Sequence, residues 1–174
     1  MKNNLILLIL LAVFYSCSHP SPTKIAFDGR KFELPIRVEK AKKLFGMMYM
    51  PYYGFLGHAT KEAPVIKAQL EGYPLFMGSD NDSEEEYYDD YFVGISFMQP
   101  VEVYQNQAKA LEVKYGKKFI DRKNYSYFQT SNGLFVVLKT TALQSMPGKK
   151  YLAITFYKGI SRNELDKYVE HVYI

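Results

Sequence analysis

An acidic segment, residues 78–90, is the densest group of side chains in this sequence that could do chemistry, with seven carboxylates and no basic residue. Carboxylate oxygens at alternating positions are typical ligands of Ca²⁺, and Asp80, Asp82 and Glu84 supply that spacing. The EF-hand pattern fails further on, because Glu85 stands where the loop needs its turn glycine. The match to a calcium loop is therefore partial.

Three interpretations of the acidic segment remain open from the sequence. Seven like charges repel one another, which favours an extended, solvated loop between two strands. Weak binding of a divalent cation is the second interpretation, and docking to a basic partner is the third. The candidate residues for cation or partner binding are Asp80, Asp82, Glu84, Glu85 and Glu86.

Tyrosines form a second candidate surface, since Tyr52, Tyr53, Tyr87 and Tyr88 cluster in two predicted loops. Exposed tyrosines offer a large contact area at a small cost in side-chain entropy, which suits the binding of a protein or a glycan. The alternative is that the four rings cover sheet edges and loop interiors.

The sequence offers little equipment for catalysis or metal binding. Its three histidines, His19, His58 and His171, lie more than a helical turn apart, so no pair has metal-ligand spacing. His58 is the one plausible general base, but no Gly-x-Ser-x-Gly elbow presents a serine nucleophile, and the phosphate-loop and dinucleotide motifs do not occur. We therefore expect no enzymatic activity and no cofactor, with weak calcium binding at the acidic segment as the one exception.

The amino terminus predicts export. Lys2 precedes an uninterrupted apolar run, residues 5–15, which is too short for a membrane-spanning helix and fits a secretory signal. The only cysteine of the chain, Cys17, lies just beyond this run. A lone thiol in an oxidising compartment is a liability, and attachment to lipid would remove it.

Residues 14–17 resemble the lipobox of bacterial lipoproteins, in which a small residue such as Ser16 precedes the cysteine. The resemblance implies that residues 1–16 are a signal peptide, that Cys17 carries a diacylglycerol, and that the protein is anchored in the cell envelope, at the outer membrane. Residues 17–23 are then a tether that holds the domain off the lipid surface. Lipidation also removes the thiol from catalysis, disulfide formation and metal ligation.

Composition limits the partners and the fold class. The formal net charge is +4 and no dense run of Lys and Arg occurs, which argues against nucleic acid as a partner. Aromatic residues make up 16% of the chain, and because tyrosine and phenylalanine favour strands, this content predicts a sheet-rich domain.

Hydrophobic periodicity predicts helices alternating with antiparallel strands. Glycines at 46 and 116 close the first two helices, and a capping box formed by Ser161 and Glu164 opens the third. The predicted helices span residues 38–45, 104–115 and 162–170. The predicted strands span residues 65–71, 73–77, 91–97, 125–130, 134–141 and 151–157.

Turn chemistry and strand alternation add detail to this pattern. Turns are expected at Asp28-Gly29 and at Asn132-Gly133, the latter being the strongest hairpin signal in the chain. Residues 47–58 are expected to be irregular with at most one short strand. In the strand 91–97, alternation places Val93, Ile95 and Phe97 on one buried face.

This order predicts a single α+β domain over residues 24–174, made of two αβββ-type units, 24–100 and 101–174, that join into one antiparallel sheet with the helices packed on one face. The organisation resembles small bacterial lipoproteins with tandem αβββ units and, more distantly, the β-lactamase-inhibitor-like fold. The first resemblance is carried by Leu34-Pro35-Ile36, Leu70-Glu71-Gly72-Tyr73 and Lys114-Tyr115-Gly116. It implies a fold and a location and brings no activity with it.

The sequence therefore predicts a non-catalytic binding or interaction module of the envelope, because it has an anchor and a tether and lacks catalytic groups. It would attach to the membrane through its lipid and contact a protein or a glycan. The alternative is an inhibitor or immunity-type protein that blocks a secreted enzyme by placing the acidic segment in a basic active site.

Overall fold

A computed structural model of the chain describes residues 20–50, 54–57, 65–73, 84–116, 120–121, 125–142 and 148–170, without the side chains of Glu84, Glu85, Ile120 and Asp121. Within these ranges the fold is α+β, as predicted, with three helices and a large antiparallel sheet. The predictions for Cys17, for the three histidines and for residues 74–83 fall outside the described residues.

The helices are α1 (Val38–Phe45), α2 (Tyr104–Tyr115) and α3 (Arg162–Glu170). Short 3₁₀ turns lie at Glu84–Tyr87 and Val101–Val103. The strands are β1 (Thr23–Phe27), β2 (Arg30–Leu34), β3 (Ile36–Arg37), β4 (Met48–Met50), β5 (Gly54–Gly57), β6 (Val65–Leu70), β7 (Tyr91–Pro100), β8 (Ile120–Asp121), β9 (Tyr125–Gln129), β10 (Phe135–Ala142) and β11 (Lys150–Tyr157).

All three helices therefore form where the sequence predicts them. Residues 47–58 differ from the prediction, because they contain two strands, β4 and β5, that pair with each other. The strand predicted at 73–77 begins at Tyr73, which is not in a strand, and its remaining residues lie outside the described part of the chain.

The main sheet has nine antiparallel strands among the described residues, in the order β4-β5-β6-β7-β11-β10-β9-β8, with β3 pairing at the start of β7. Its centre is the β7–β11 pair, in which Gly94 lies opposite Tyr157 and Pro100 opposite Tyr151. The division into two αβββ-type units is not confirmed, since four described strands follow α1 and another four follow α2.

A separate hairpin of β1 and β2 lies on one face of this sheet. Its turn is the predicted Asp28-Gly29 pair, where both residues have positive φ, 49° and 71°, as a two-residue hairpin turn requires. Phe27 anchors the hairpin over the sheet centre, with its ring centroid 5.0 Å from that of Phe97 and 5.1 Å from that of Phe156.

The larger hydrophobic core lies between the sheet and a layer made of α1, the hairpin and α2. Helix α1 contributes Val38, Ala41 and Phe45, and α2 contributes Ala108 and Leu111. Full burial of a side chain such as Val38, Phe45 or Leu111 contributes about 1.5–3 kcal/mol. This core fixes α1 beside the hairpin, and the two together form the surface described below.

Helix α3 packs on the opposite face of the sheet, so the expectation that the helices share one face is wrong for α3. Leu165, Tyr168 and Val169 form a second core there with residues of β7, β9, β10 and β11. The predicted capping box is confirmed: the Ser161 backbone N–H donates to Glu164 Oε2 (2.8 Å), and the Glu164 N–H donates to Ser161 Oγ (3.3 Å).

The other end of α3 is capped by a lysine of the sheet. Lys139, which is almost completely buried on β10, donates from Nζ to the backbone oxygens of Val169 (2.6 Å) and Glu170 (3.2 Å). A cation at the carboxyl end of a helix is favoured by the helix dipole and satisfies carbonyls that have no partner within the helix. Burial nevertheless lowers the pKa of Lys139.

A bulge in β7 changes which residues share a face. The register against β6 shifts between Gln69 and Leu70, so that Phe92, Ile95 and Phe97 face the larger core. Val93 lies in the second core, under α3. The prediction that Val93 faces the same way as Ile95 and Phe97 is therefore wrong, because the extra residue of a bulge breaks the two-residue period.

Candidate functional site

The carboxyl-terminal part of the acidic segment is packed against the domain. After the 3₁₀ turn, the Asp90 backbone N–H donates to the Tyr87 carbonyl oxygen (3.0 Å). The half-buried Tyr87 ring lies 5.9 Å, centroid to centroid, from both Tyr49 and Phe55. These aromatic contacts hold the segment beside strands β4 and β5.

Helix α1 contacts the same segment from its other side. Lys42 Nζ donates to the hydroxyl of the half-buried Tyr88 (3.1 Å), and the Val38 N–H donates to the Asp90 carbonyl oxygen (3.0 Å). Arg37 reaches Asp89 (3.3 Å), whose side chain is 98% exposed, so this ion pair adds little to stability. The end of the acidic segment thus has a defined position, with its carboxylates facing solvent.

The structure describes only some of the predicted site residues. Tyr87 and Tyr88 lie side by side on this segment, half-buried and engaged with β4, β5 and α1. Glu86 is exposed on the same segment. Glu84 and Glu85 belong to the 3₁₀ turn, but the structure does not describe their side chains. Four further predicted residues lie outside the described ranges: Tyr52, Tyr53, Asp80 and Asp82.

A groove with a volume of about 630 Å³ lies between the hairpin and α1. We call it the lysine groove. Its basic side chains are Lys24 and Lys31 from the hairpin and Lys40 and Lys43 from α1, and Glu33 is its one acid. Its apolar side chains are Ile25, Ala26, Phe32, Ile36 and Leu44.

Strand alternation explains why the lysines line the groove. In the β1–β2 pairing Lys24 lies opposite Glu33 and Ala26 opposite Lys31, so these four share the outer face of the hairpin, while Ile25 and Phe32 face the core. On α1, Lys40 and Lys43 are three residues apart and therefore lie on one side of the helix.

The charges of the groove are only partly compensated. Lys40 Nζ forms an ion pair with Glu33, and Lys43 Nζ pairs with Glu39 at 2.6 Å, one turn away on α1. Lys24 and Lys31 are exposed and have no ion-pair partner among the described residues. Ammonium groups above an apolar floor provide contacts for an anion that also carries apolar surface.

A smaller groove of about 390 Å³ adjoins the lysine groove. The two share Glu33, Ile36, Lys40 and Lys43, and the smaller one adds residues that include Pro22, Pro35 and Tyr91. Pro22 belongs to the chain that leads into β1, so the amino-terminal end of the described domain runs directly beside the lysines.

Pro20, two residues earlier, already contacts the body of the domain. It is half-buried, and its Cγ would lie 3.3 Å from a Cβ placed on Gly159, while the Pro35 Cγ would lie 3.1 Å from it. Gly159 has φ +94°, which glycine adopts without strain. The prediction that residues 17–23 are a tether is therefore wrong for its second half, because Pro20 packs against the domain and β1 begins at Thr23.

Sequence reasoning missed the lysine groove. Its four lysines come from three elements and follow no single local pattern. The available signal was the alternation Lys24/Ala26 and Lys31/Glu33 about the predicted Asp28-Gly29 turn. Combined with the predicted α1, that pattern would have placed basic residues on the solvent face of a hairpin. It would not have given their distance from the helix.

Neither a metal centre nor a membrane span is found within the described ranges. No group of three or more His, Cys, Asp or Glu side chains there is arranged to hold a metal ion. No helix among those residues is both long enough and apolar enough to cross a bilayer. Comparison of the chain with protein-family models, with curated proteins and with solved structures gave no match.

Proposed function

We propose that the protein is a lipid-anchored component of the bacterial envelope whose domain is a non-catalytic binding module, and that the lysine groove binds its partner, which is anionic. The observation that carries this proposal is the groove itself, in which four lysines and one glutamate surround an apolar floor. A concave apolar surface with a few convergent polar groups is the usual form of a binding site, and about 630 Å³ lies within the common range of volumes.

The anchor rests on the sequence of the first 17 residues. An apolar run of signal-peptide length ends just before Cys17, and the chain contains no second cysteine with which that thiol could pair. Mass spectrometry of the native protein tests this part of the proposal. A diacylglycerol thioether on Cys17 supports it, whereas an uncut leader or an unmodified thiol overturns it.

The binding site is tested with a pair of small probes that differ in head charge. The full-length protein in a neutral detergent is titrated with hexyl phosphate and with hexyltrimethylammonium, and heat release is measured by calorimetry. We expect hexyl phosphate to bind and the cation not to bind. The variant Lys24→Gln/Lys31→Gln loses binding, and the charge-matched control Lys149→Gln/Lys167→Gln retains it. Equal binding of hexyl phosphate to both variants would place the site elsewhere.

The non-catalytic part of the proposal has its own test. His58 is the one side chain that the sequence suggests as a general base. Turnover of any substrate by the purified protein, abolished by His58→Ala, would replace the binding module with an enzyme.

A second candidate function is inhibition of a secreted enzyme through the acidic segment. It is favoured by the fixed position of this segment, in which Tyr87 and Tyr88 are packed while Glu86 and Asp89 face solvent. A capture experiment from envelope extract compares the wild type with a variant that has Asp80, Asp82, Glu84, Glu85 and Glu86 neutralised. Loss of a captured enzyme in that variant alone supports inhibition, and unchanged capture rules out the acidic segment as the inhibitory element.

A further inference from the structure

We propose that the anionic partner of the lysine groove is the phospholipid surface that holds the anchor, so that the domain lies on the membrane with the hairpin and α1 facing the headgroups. This inference rests on the proposed function, because it requires the lipid at Cys17. It names the partner as an anionic phospholipid surface, and it fixes which side of the domain faces the membrane.

The first argument is the short length of chain between Cys17 and the domain. Pro20 is already half-buried, and its Cγ lies beside Gly159, close to where the Pro35 ring packs. Two residues lie between Cys17 and Pro20, and a fully extended chain covers at most about 3.3–3.6 Å per residue, or roughly 10 Å over the three steps. A lipid on Cys17 therefore keeps the membrane close to the surface around Pro20, rather than allowing the domain to stand far from it.

The second argument is that the amino-terminal chain reaches the domain beside the lysines. From Pro20 the chain passes Pro22, which lines the smaller groove together with Lys40 and Lys43, and these two lysines also line the lysine groove. The side of the domain that carries the lysines is thus the side at which the anchored chain arrives. Attraction between lysines and an anionic leaflet acts over about 8–10 Å at moderate salt, so a short link to the anchor is what such a contact requires.

The third argument is the uncompensated positive charge of the lysine groove. Lys40 and Lys43 are balanced within the domain by Glu33 and Glu39, so the uncompensated charge of the groove is on Lys24 and Lys31, on the outer face of the hairpin. Each lysine brought to an anionic surface strengthens docking about fivefold. A lipid anchor together with a basic patch is a combination that holds a protein firmly on a membrane.

Lysine footprinting of the native full-length protein tests the inference. The protein is reconstituted in vesicles of phosphatidylcholine alone or of phosphatidylcholine with phosphatidylglycerol, its lysines are acetylated briefly, and labelling is measured by peptide mass spectrometry. We expect Lys24 and Lys31 to be labelled at least about fivefold more slowly in the anionic vesicles. High salt removes the difference. Lys167 on α3, across the sheet, keeps the same rate in both vesicle types.

Two variants with equal net charge sharpen the test. Lys24→Gln/Lys31→Gln reduces the ratio of docked to undocked protein by about 25-fold, and Lys40 and Lys43 are then labelled equally in the two vesicle types. Lys149→Gln/Lys167→Gln preserves the protection of Lys24 and Lys31. The four substituted lysines are exposed, so both variants are expected to fold.

The outcomes separate this inference from the proposed function. Equal labelling of the groove lysines in both vesicle types overturns the inference, while groove-dependent binding of hexyl phosphate would leave the anionic binding site in place. Protection that increases with protein density and not with phosphatidylglycerol overturns it in favour of a second copy of the chain. Equal protection of Lys167 also overturns it, because the domain would then have no preferred side. An unmodified Cys17 overturns both proposals.

Discussion

Substitution of Gly94 by alanine tests the packing at the centre of the sheet. Gly94 lies in β7 directly opposite Tyr157 of β11, and the tyrosine ring covers the glycine. A Cβ at this position would lie 2.6 Å from Tyr157 Cε1, 2.8 Å from Cδ1 and 3.0 Å from Gln69 Oε1. Ordinary contacts of a Cβ begin near 3.4 Å, so the added methyl group overlaps the ring by roughly 0.8 Å.

The ring has little room to move away. Tyr157 is completely buried, and its other neighbour is the Tyr168 ring of α3, whose centroid lies 6.0 Å away at an interplanar angle of 61°. Overpacking of a well-filled core costs about 1–3 kcal/mol, and a site confined on both sides belongs at the upper end. We therefore expect Gly94→Ala to lower the free energy of unfolding by about 3 kcal/mol, which corresponds to a decrease in Tm of about 6–12 °C for a domain of this size.

Urea unfolding, followed by circular dichroism, measures the effect, and Gly72→Ala is the matched control. Gly72 has φ +77° with nothing within 4 Å of an added Cβ, so Gly72→Ala introduces only backbone strain, which costs about 1–2 kcal/mol of stability. In the double variant Gly94→Ala/Tyr157→Leu the ring is removed, and the two changes should cost at least about 1 kcal/mol less together than their sum.

A Gly94→Ala variant within about 0.5 kcal/mol of the wild type would refute this reasoning, since surface substitutions change stability by that amount. Strict additivity in the double variant would do the same, because it would mean that the alanine and the ring do not meet.

Two further predictions concern helix α3 and Lys67, a half-buried lysine of β6. Ser161→Ala removes the capping-box hydroxyl and should cost about 1 kcal/mol in urea unfolding, with Ser131→Ala, in an exposed turn, as the control; equal effects would argue against the cap. Burial lowers the pKa of Lys67 from 10.5 to about 8, so the unfolded chain binds more protons between these values. The wild type should therefore gain up to about 3 kcal/mol relative to Lys67→Met as the pH rises from 8 to 10.5, and a flat difference would contradict the lowered pKa.

Local chemistry accounts for what the sequence predicted well. The Asp28-Gly29 turn and the capping box of Ser161 and Glu164 each act over four residues or fewer. The Asn132-Gly133 signal correctly predicted a reversal between β9 and β10, although the connection there has five residues and not two. Helices α1 and α2 end at glycines whose position follows from the end of the hydrophobic period. These features need no knowledge of distant parts of the chain, so a single sequence suffices.

The features that were missed depend on distant pairing. Val93 looked equivalent to Ile95 and Phe97 because a bulge is invisible until the register against β6 is known. The side of the sheet on which α3 packs depends on how the chain leaves β11. The lysine groove requires the hairpin, which precedes α1 in sequence, to fold back over the sheet beside that helix. Each of these arrangements is settled only by contacts between segments that are distant in sequence.

The strand order also has a consequence for biosynthesis. Strand β7 has β6 as its partner on one edge, but its other edge is completed by β11, near the end of the chain, where Tyr151 pairs with Pro100 and Tyr157 with Gly94. At about 5–20 residues per second, synthesis leaves this edge bare for several seconds. A nascent chain with an open apolar edge is prone to aggregate, so we expect productive folding to depend on a chaperone that shields β7 until β11 arrives.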